Sequence, residues 1–238
     1  MNRYIELSVI IPLAPGESAW RGLLPQVARV TAEGGEILLA AAREAPDDLE
    51  DFRRSAGVED SRLHWLVSPA GRAIQMNHGA VSARGTFLWF LHADSRFDNG
   101  TLPALRKVLA RRESCLWYFR LRFFPYEPPF VRLNEWGAWL RSRWVGLPFG
   151  DQGFLMPRRM FFELGTYDVG VEYGEDHLMV WKSREHGYRV RWTGGTLFTS
   201  SRKYREKGWL RTTSIYWIRT LKQALTCYLR IIRKRTEG

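Results

Sequence analysis

Thr86-Phe87-Leu88-Trp89-Phe90-Leu91-His92-Ala93-Asp94 is the stretch that decides the fold. An apolar run of strand length, read as a buried strand, breaks off in His-Ala-Asp. A carboxylate delivered at the C-terminal end of such a strand stands at the mouth of an open α/β sheet, where ligands bind. There it can hold a hard divalent cation, which in turn can hold a diphosphate. His92 and Asp94, two apart on an extended chain, point to the same side, so both can line one site. Asp94 then reads as a metal ligand, beside an imidazole that binds or orients phosphate. A capping Asp at a strand-to-turn junction has the same local sequence, so spacing alone leaves both readings open.

Outward from this strand the chain alternates. Upstream, the small, polar segment Gly71-Arg72-Ala73-Ile74-Gln75-Met76-Asn77 opens a helix that runs to Ala83. Leu63–Val67 and residues 36–42 read as strands, and residues 46–56 as a short acidic helix. Leu7-Ser8-Val9-Ile10-Ile11-Pro12 is a buried strand ended by proline. Between these first two strands, Trp20, Leu23, Leu24, Val27 and Val30 recur at helical spacing, with Ser18 as the expected cap and Gly34-Gly35 as the stop. Downstream, residues 102–111 read as helix. Strands alternating with helices at this spacing predict a doubly wound, mostly parallel, Rossmann-like sheet. After residue 112 the pattern changes. Trp117–Phe124 alternates as a strand with one solvated face, and Pro125, Pro128 and Pro129 make a turn before an aromatic helix-like stretch to Trp144. With no linker in view, residues 1–111 and 112–208 read as two halves of one fused domain.

Composition narrows the classes. The 238 residues suffice for a sizeable core, and no run of apolar residues reaches membrane-spanning length. Cys115 and Cys227 have neither metal nor redox spacing, which favours a reducing compartment. The opening Met1-Asn2-Arg3-Tyr4-Ile5-Glu6 lacks the apolar core of a signal peptide, so a cytoplasmic location is expected. The net charge of +11 admits nucleic acid, an anionic membrane surface or a phosphorylated substrate. No zinc-finger spacing, RNA-binding aromatic signature or heptad-linked basic region occurs, and nucleic acid is set aside.

Three further constellations carry chemistry. Gly150-Asp151-Gln152-Gly153 suits a tight loop that approaches a polyhydroxylated ligand, or an ordinary surface turn. Gly174-Glu175-Asp176-His177 opens a helix: its acids either answer the helix dipole or supply a general base. Arg202 and Lys203, on a loop after the apolar Leu197-Phe198-Thr199, either neutralise a departing diphosphate or are simply solvated.

The order of these pieces is more specific than any one of them. The chain resembles the inverting family 2 glycosyltransferases of the GT-A fold, and within them the subgroup named for arsenosugar biosynthesis. The resemblance rests on Ser8–Pro12, Gly71–Asn77, His92–Asp94, Gly150–Gly153, Glu175-Asp176 and Thr199–Tyr204, and covers residues 5–215. It implies a GT-A fold with a helical C-terminal segment and a nucleotide-sugar donor whose sugar passes to a hydroxyl acceptor with inversion. By resemblance Asp94, aided by His92, holds Mn²⁺ or Mg²⁺. Asp176 is the catalytic base, with Glu175 beside it. Pro12, Arg72, Gln75, Asn77, His92, Ala93, Asp94, Arg202 and Lys203 lie near the nucleotide and diphosphate. Asp151 and Gln152 face the donor sugar or acceptor. One feature departs from the family: its second strand ends in an Asp that reads the base, whereas this chain has Ala40-Ala41-Ala42-Arg43-Glu44. The departure leaves open a GT-A domain that binds nucleotide or a partner without transfer.

Residues 209–238 form a basic amphipathic segment. Trp209, Ile215, Trp217, Ile218, Leu221, Leu225, Tyr228, Leu229 and Ile232 make an apolar stripe, and basic residues crowd the end. Such a helix packs on its own domain or a second subunit, or lies on the inner face of a membrane as a peripheral anchor.

Overall fold

The computed structural model describes residues 6–215 apart from 33, 126, 172 and 173. The expected amphipathic helix at 209–238 therefore lies, from residue 216 onward, outside the described residues. Residues 209–215 are helical.

Among the described residues eight strands form one sheet in the order β3-β2-β1-β4-β7-β6-β8-β5. The strands are β1 (Leu7–Leu13), β2 (Gly35–Ala41), β3 (Leu63–Val67), β4 (Phe87–Phe90), β5 (Arg96–Phe97), β6 (Cys115–Phe124), β7 (Leu155–Pro157) and β8 (Arg189–Ser200). The first half is the βαβ alternation expected from sequence. Helices α1 (Trp20–Thr31), α2 (Leu49–Ser55) and α3 (Arg72–Ser82) connect β1, β2, β3 and β4, all mutually parallel. The second half holds α4 (Thr101–Arg111), α5 (Val131–Leu140), α6 (Arg158–Glu163), α7 (Glu175–Glu185) and α8 (Arg202–Lys207).

Period-2 patterning divides the core. Val9, Ile11, Ile37 and Leu39 face α1 through Leu23, Leu24 and Val27, together with Trp89, Trp117 and Phe119. Ile10, Leu38, Leu88 and Phe90 face α3, α6 and α7 through Met76, Phe161 and Met179. A strand buried on both faces does not alternate with solvated residues, which is why β1, β2 and β4 read as mainly apolar runs, broken only by the buried pair Ser8 and Glu36.

Two details differ from the sequence reading. The side chain of Ser18 makes no cap for α1; Glu17 Oε1 instead accepts the backbone N–H of Ala19 at 2.9 Å. Arg202 and Lys203 lie in the first turn of α8 rather than on a loop, with the Arg202 N–H donating to Ser200 Oγ at 3.2 Å.

The short strand β7 determines where the site forms. It runs antiparallel to both β4 and β6, with Leu155 opposite Trp89 and Trp117. The residues leading into β7 therefore lie at the C-terminal end of β4. Because β6 and β8 are parallel to one another, their C-terminal ends reach the same edge of the sheet. Chain order reverses between β1 and β4, the switch point at which open sheets bind ligands.

Candidate active site

Along this edge lies a cleft of about 460 Å³ whose lining includes Arg72, His92, Asp94, Arg141, Asp151, Asp176, Arg202 and Lys203. Six of the expected site residues thus stand with Asp176 around one space, although they come from β4, α3, α7, α8 and the loop before β7.

Asp94 leaves β4 just beyond Leu91, whose N–H still joins the ladder by donating to Ile10 O at 3.0 Å. β5 turns the chain back against β8, Arg96 opposite Phe198, which brings the end of β8 to the carboxylate. Thr199 Oγ1 is 3.3 Å from both Asp94 oxygens, and the Ser200 N–H donates to Oδ2 at 3.2 Å. These long bonds leave much of the carboxylate's acceptor capacity open toward the cleft.

Arg72 ties together the groups around it. Its Nη1 lies 3.1 Å from Glu175 Oε1 and 3.7 Å from Asp176 Oδ2, while Nη2 meets His92 Nε2 at 2.6 Å. A guanidinium only donates, so Nε2 accepts and the imidazole proton sits on Nδ1. Burial, then the charges of Arg72 and Lys203, push the His92 pKa well below the ordinary histidine range. His92 is therefore a neutral Nδ1–H donor with no lone pair left over. In this arrangement the ring is suited to a phosphate oxygen rather than to a cation.

Asp176 opens α7 and is fixed by the backbone. Gly150 N–H donates to its Oδ2 at 2.6 Å, and its Oδ1 accepts the N–H of His177 at 2.8 Å. Gly150 has no room for a side chain: a Cβ there would collide with Arg72 Nη2 and stand 2.6 Å from Asp176 Oδ2. The turn Gly150–Gln152 is closed by Gly153 at φ 62°, in the left-handed region that favours glycine.

Asp151 projects from that turn into the cleft, and among the described residues its buried Oδ1 has no hydrogen-bond partner. Burial, opposed by Arg141 and reinforced by Asp176, pushes its pKa up to about 6. Arg141 itself was not singled out from sequence. Its guanidinium stacks over Phe149, 3.5 Å from the ring centroid, and its Nε donates to Leu147 O at 2.8 Å. Nothing in its helical sequence context marks it as a site residue.

Several other expected residues make contacts within the fold and do not line the cleft. Gln75 is buried and donates to Leu13 O at 2.8 Å, latching α3 to the end of β1. Asn77 exchanges two bonds with the backbone of Tyr167. Gln152 accepts from Ser142 Oγ and the Phe149 N–H and donates to Phe119 O. Glu175 is buried in its ion pair with Arg72. Pro12 is half-buried and Ala93 buried, and none of these six lines the cleft. Glu44 is exposed in the loop after β2 and does not line it either.

Among the described residues no three His, Cys, Asp or Glu side chains form a ready-made metal cage. That does not exclude Mg²⁺ or Mn²⁺, since Mg²⁺ commonly binds through one or two carboxylates plus substrate phosphates. Asp94, with its acceptor capacity open, and the orphaned Oδ1 of Asp151 fit such a role.

Solved structures share this fold. The chain is similar to the crystal structure of S. aureus TarS (15% identity, TM-score 0.61), over 84% of this chain and 37% of that one. The 1–349 form of TarS in complex with UDP-GlcNAc aligns at 14% identity and TM-score 0.61, over 83% of this chain and 59% of that one. GalNAc-T7, solved with UDP, GalNAc and Mn²⁺, aligns at 16% identity and TM-score 0.55, over 84% of this chain and 44% of that one. The chain thus spans less than two thirds of each. No protein-family model and no curated protein matches it. At these identities the likeness shows the fold, which is that of the GT-A glycosyltransferases.

Proposed function

We propose that this protein transfers a sugar from a nucleotide-sugar donor to a hydroxyl acceptor, by direct displacement with inversion. The observation that carries this reading is one cleft, at the switch point of a GT-A sheet, lined by Asp94, Asp151 and Asp176 together with Arg72, Arg202 and Lys203. The solved relatives bound to UDP-GlcNAc, or to UDP, GalNAc and Mn²⁺, support a donor of this chemistry.

In this reading the cationic wall receives the diphosphate, with Arg202 and Lys203 at the first turn of α8 and the Nδ1–H of His92 opposite. Asp94 would hold the divalent cation, which when bound supplies charge neutralisation to the leaving diphosphate. Asp176, held by the Gly150 and His177 N–H groups, takes the proton of the acceptor hydroxyl. The hydroxyl oxygen bonds to the anomeric carbon as the bond to phosphate breaks, and that electron pair leaves with the diphosphate. Asp151 offers its orphaned oxygen to a hydroxyl of the acceptor or sugar.

A panel of nucleotide-sugars tests the reading through release of nucleoside diphosphate. One donor should turn over, and Asp176→Asn should lower the rate by about 100-fold or more while donor binding persists. Turnover near the wild-type rate in that variant would remove Asp176 as base. Binding without release for every donor would favour a nucleotide-binding domain that performs no transfer, the reading kept open by the lack of an Asp at the end of β2, beyond which Glu44 lies exposed in the loop.

A further inference from the structure

Helix α5 continues through a π-helical turn, Arg141–Val145, and carries two apolar faces. The inner face, Val131, Glu135, Ala138 and Ser142, is buried. It packs on Leu121 and Phe123 of β6, and the Glu135 carboxylate is fixed by the Phe123 N–H at 2.6 Å. Among the described residues a second, outer side of this segment carries exposed apolar side chains. Phe130, Leu133, Trp136 and Trp144 lie on it, with Trp136 62% and Trp144 81% exposed. Leu210 and Ile215 are also exposed, on the helical residues 209–215, which dock on α5 through the bond from Trp209 Nε1 to Asn134 Oδ1 at 2.7 Å. A helix packed on its domain needs one apolar stripe; a second one, rich in tryptophan, calls for an apolar partner.

Charge identifies the partner. Between residues 129 and 145 the chain has Arg132, Arg141 and Arg143, and Glu135 is the only acid. Glu135 is buried and Arg141 turns into the cleft, so the charges this segment leaves on its exposed side are those of Arg132 and Arg143, on a chain of net charge +11. Two copies meeting through this face would set arginine against arginine across a two-fold axis. An anionic lipid surface instead takes tryptophan and leucine into its interfacial layer, where indole rings are at home, and pairs the arginines with its headgroups. Among the described residues no helix is long and apolar enough to cross a membrane. Lying on the surface is therefore the mode that suits this face.

We infer that the outer stripe of Phe130, Leu133, Trp136 and Trp144 is a docking surface for an anionic lipid bilayer. Leu133 and Gly137 belong both to α5 and to the lining of the cleft. Docking through this stripe therefore sets the mouth of the cleft beside the headgroups, within reach of an acceptor held there. The surface itself does not depend on the proposed transfer reaction.

The test is partitioning of the full chain onto phosphatidylcholine vesicles with and without phosphatidylglycerol, read by co-sedimentation and by quenching of tryptophan fluorescence with brominated lipids. Wild type should bind the anionic vesicles, and Trp136→Ser/Trp144→Ser should lower the partition coefficient by about tenfold or more and lose the lipid-quenched component. Both side chains are exposed, so the variant's thermal midpoint should match wild type, confirming that a loss of binding is local. Equal partitioning of variant and wild type would overturn the inference, because the lipid contact would then lie elsewhere, such as the basic C-terminal residues. Absence of wild-type binding would also overturn it. So would concentration-dependent self-association in sedimentation velocity that the double variant abolishes, which would give the face to a second copy. These readouts use no donor, so their failure leaves the transferase reading untouched.

Discussion

Gly150 and Asp176 meet through a single bond, the backbone N–H of one donating to Oδ2 of the other at 2.6 Å. Twenty-six residues apart in sequence, they join the loop before β7 to the first turn of α7 and hold the carboxylate at the cleft. Gly150→Ala should break this arrangement, since its Cβ would stand where Arg72 and Asp176 now approach. We expect a loss of about 1–3 kcal/mol in stability from overpacking. A fall of about 10²-fold in donor turnover should accompany it, because small misplacements of catalytic groups are costly. Chemical denaturation and nucleoside diphosphate release measure the two effects.

Asp151 should make the protein less stable as pH rises. Its folded pKa of about 6 lies above the ordinary carboxylate value, with burial as the leading cause. The unfolded chain therefore gives up this proton first, and stability falls between about pH 4 and pH 6 and stays low above. Asp151→Asn removes the penalty. Its thermal midpoint should exceed that of wild type above pH ~6.5 and converge with it near pH ~4, by an amount on the order of 2–3 kcal/mol at most. An orphaned oxygen is tolerated where a ligand is meant to meet it, so the same variant should weaken acceptor use.

His92 should remain neutral where an exposed histidine would titrate. A folded pKa below the unfolded value means that its contribution to stability is present at neutral pH and fades as pH falls through the unfolded value of about 6.5. Long-range ¹H–¹⁵N correlation spectra at mildly acidic pH should show one neutral ring protonated at Nδ1. A protonated imidazolium there would contradict the Arg72–His92 geometry.

Glu36 anchors the opposite end of the sheet. Burial works against its charge, but hydrogen bonds from His64, Ser8 and Arg84 prevail and hold its pKa at about 2. Its stabilisation is complete above about pH 4.5 and is lost as pH falls toward 2. Glu36→Gln should lower stability by ~2–4 kcal/mol at neutral pH, because it leaves a buried network partly unpaired. The difference from wild type should shrink in acid, as urea unfolding at two pH values will show.

The legible and illegible parts of this chain divide along physical lines. Strands β1, β2 and β4 are buried on both faces, so their apolar runs announce themselves, and β4 carries His92 and Asp94 to the sheet edge in plain view. Strand β7 is three residues long and antiparallel, too short for any periodicity, yet it brings Asp151 into the same cleft as Asp94. The family resemblance implies ligand contacts for Gln75, Asn77 and Gln152. The same amide groups serve equally well as latches between backbone segments, and only the folded neighbours distinguish the two uses. Arg141 entered the site by the reverse route, from an aromatic helix with no motif around it.

The most direct test of the central claim is thermal unfolding with a panel of nucleoside diphosphates and nucleotide-sugars, with and without Mn²⁺ or Mg²⁺, for wild type and Asp94→Ala. A ligand at about 100 times its dissociation constant adds roughly 2.7 kcal/mol, which for a chain of this size raises the midpoint by roughly 5–10 °C. The account predicts such a shift for one nucleotide, dependent on the cation and abolished in Asp94→Ala. No shift with any nucleotide, or an equal shift in the variant, would contradict it.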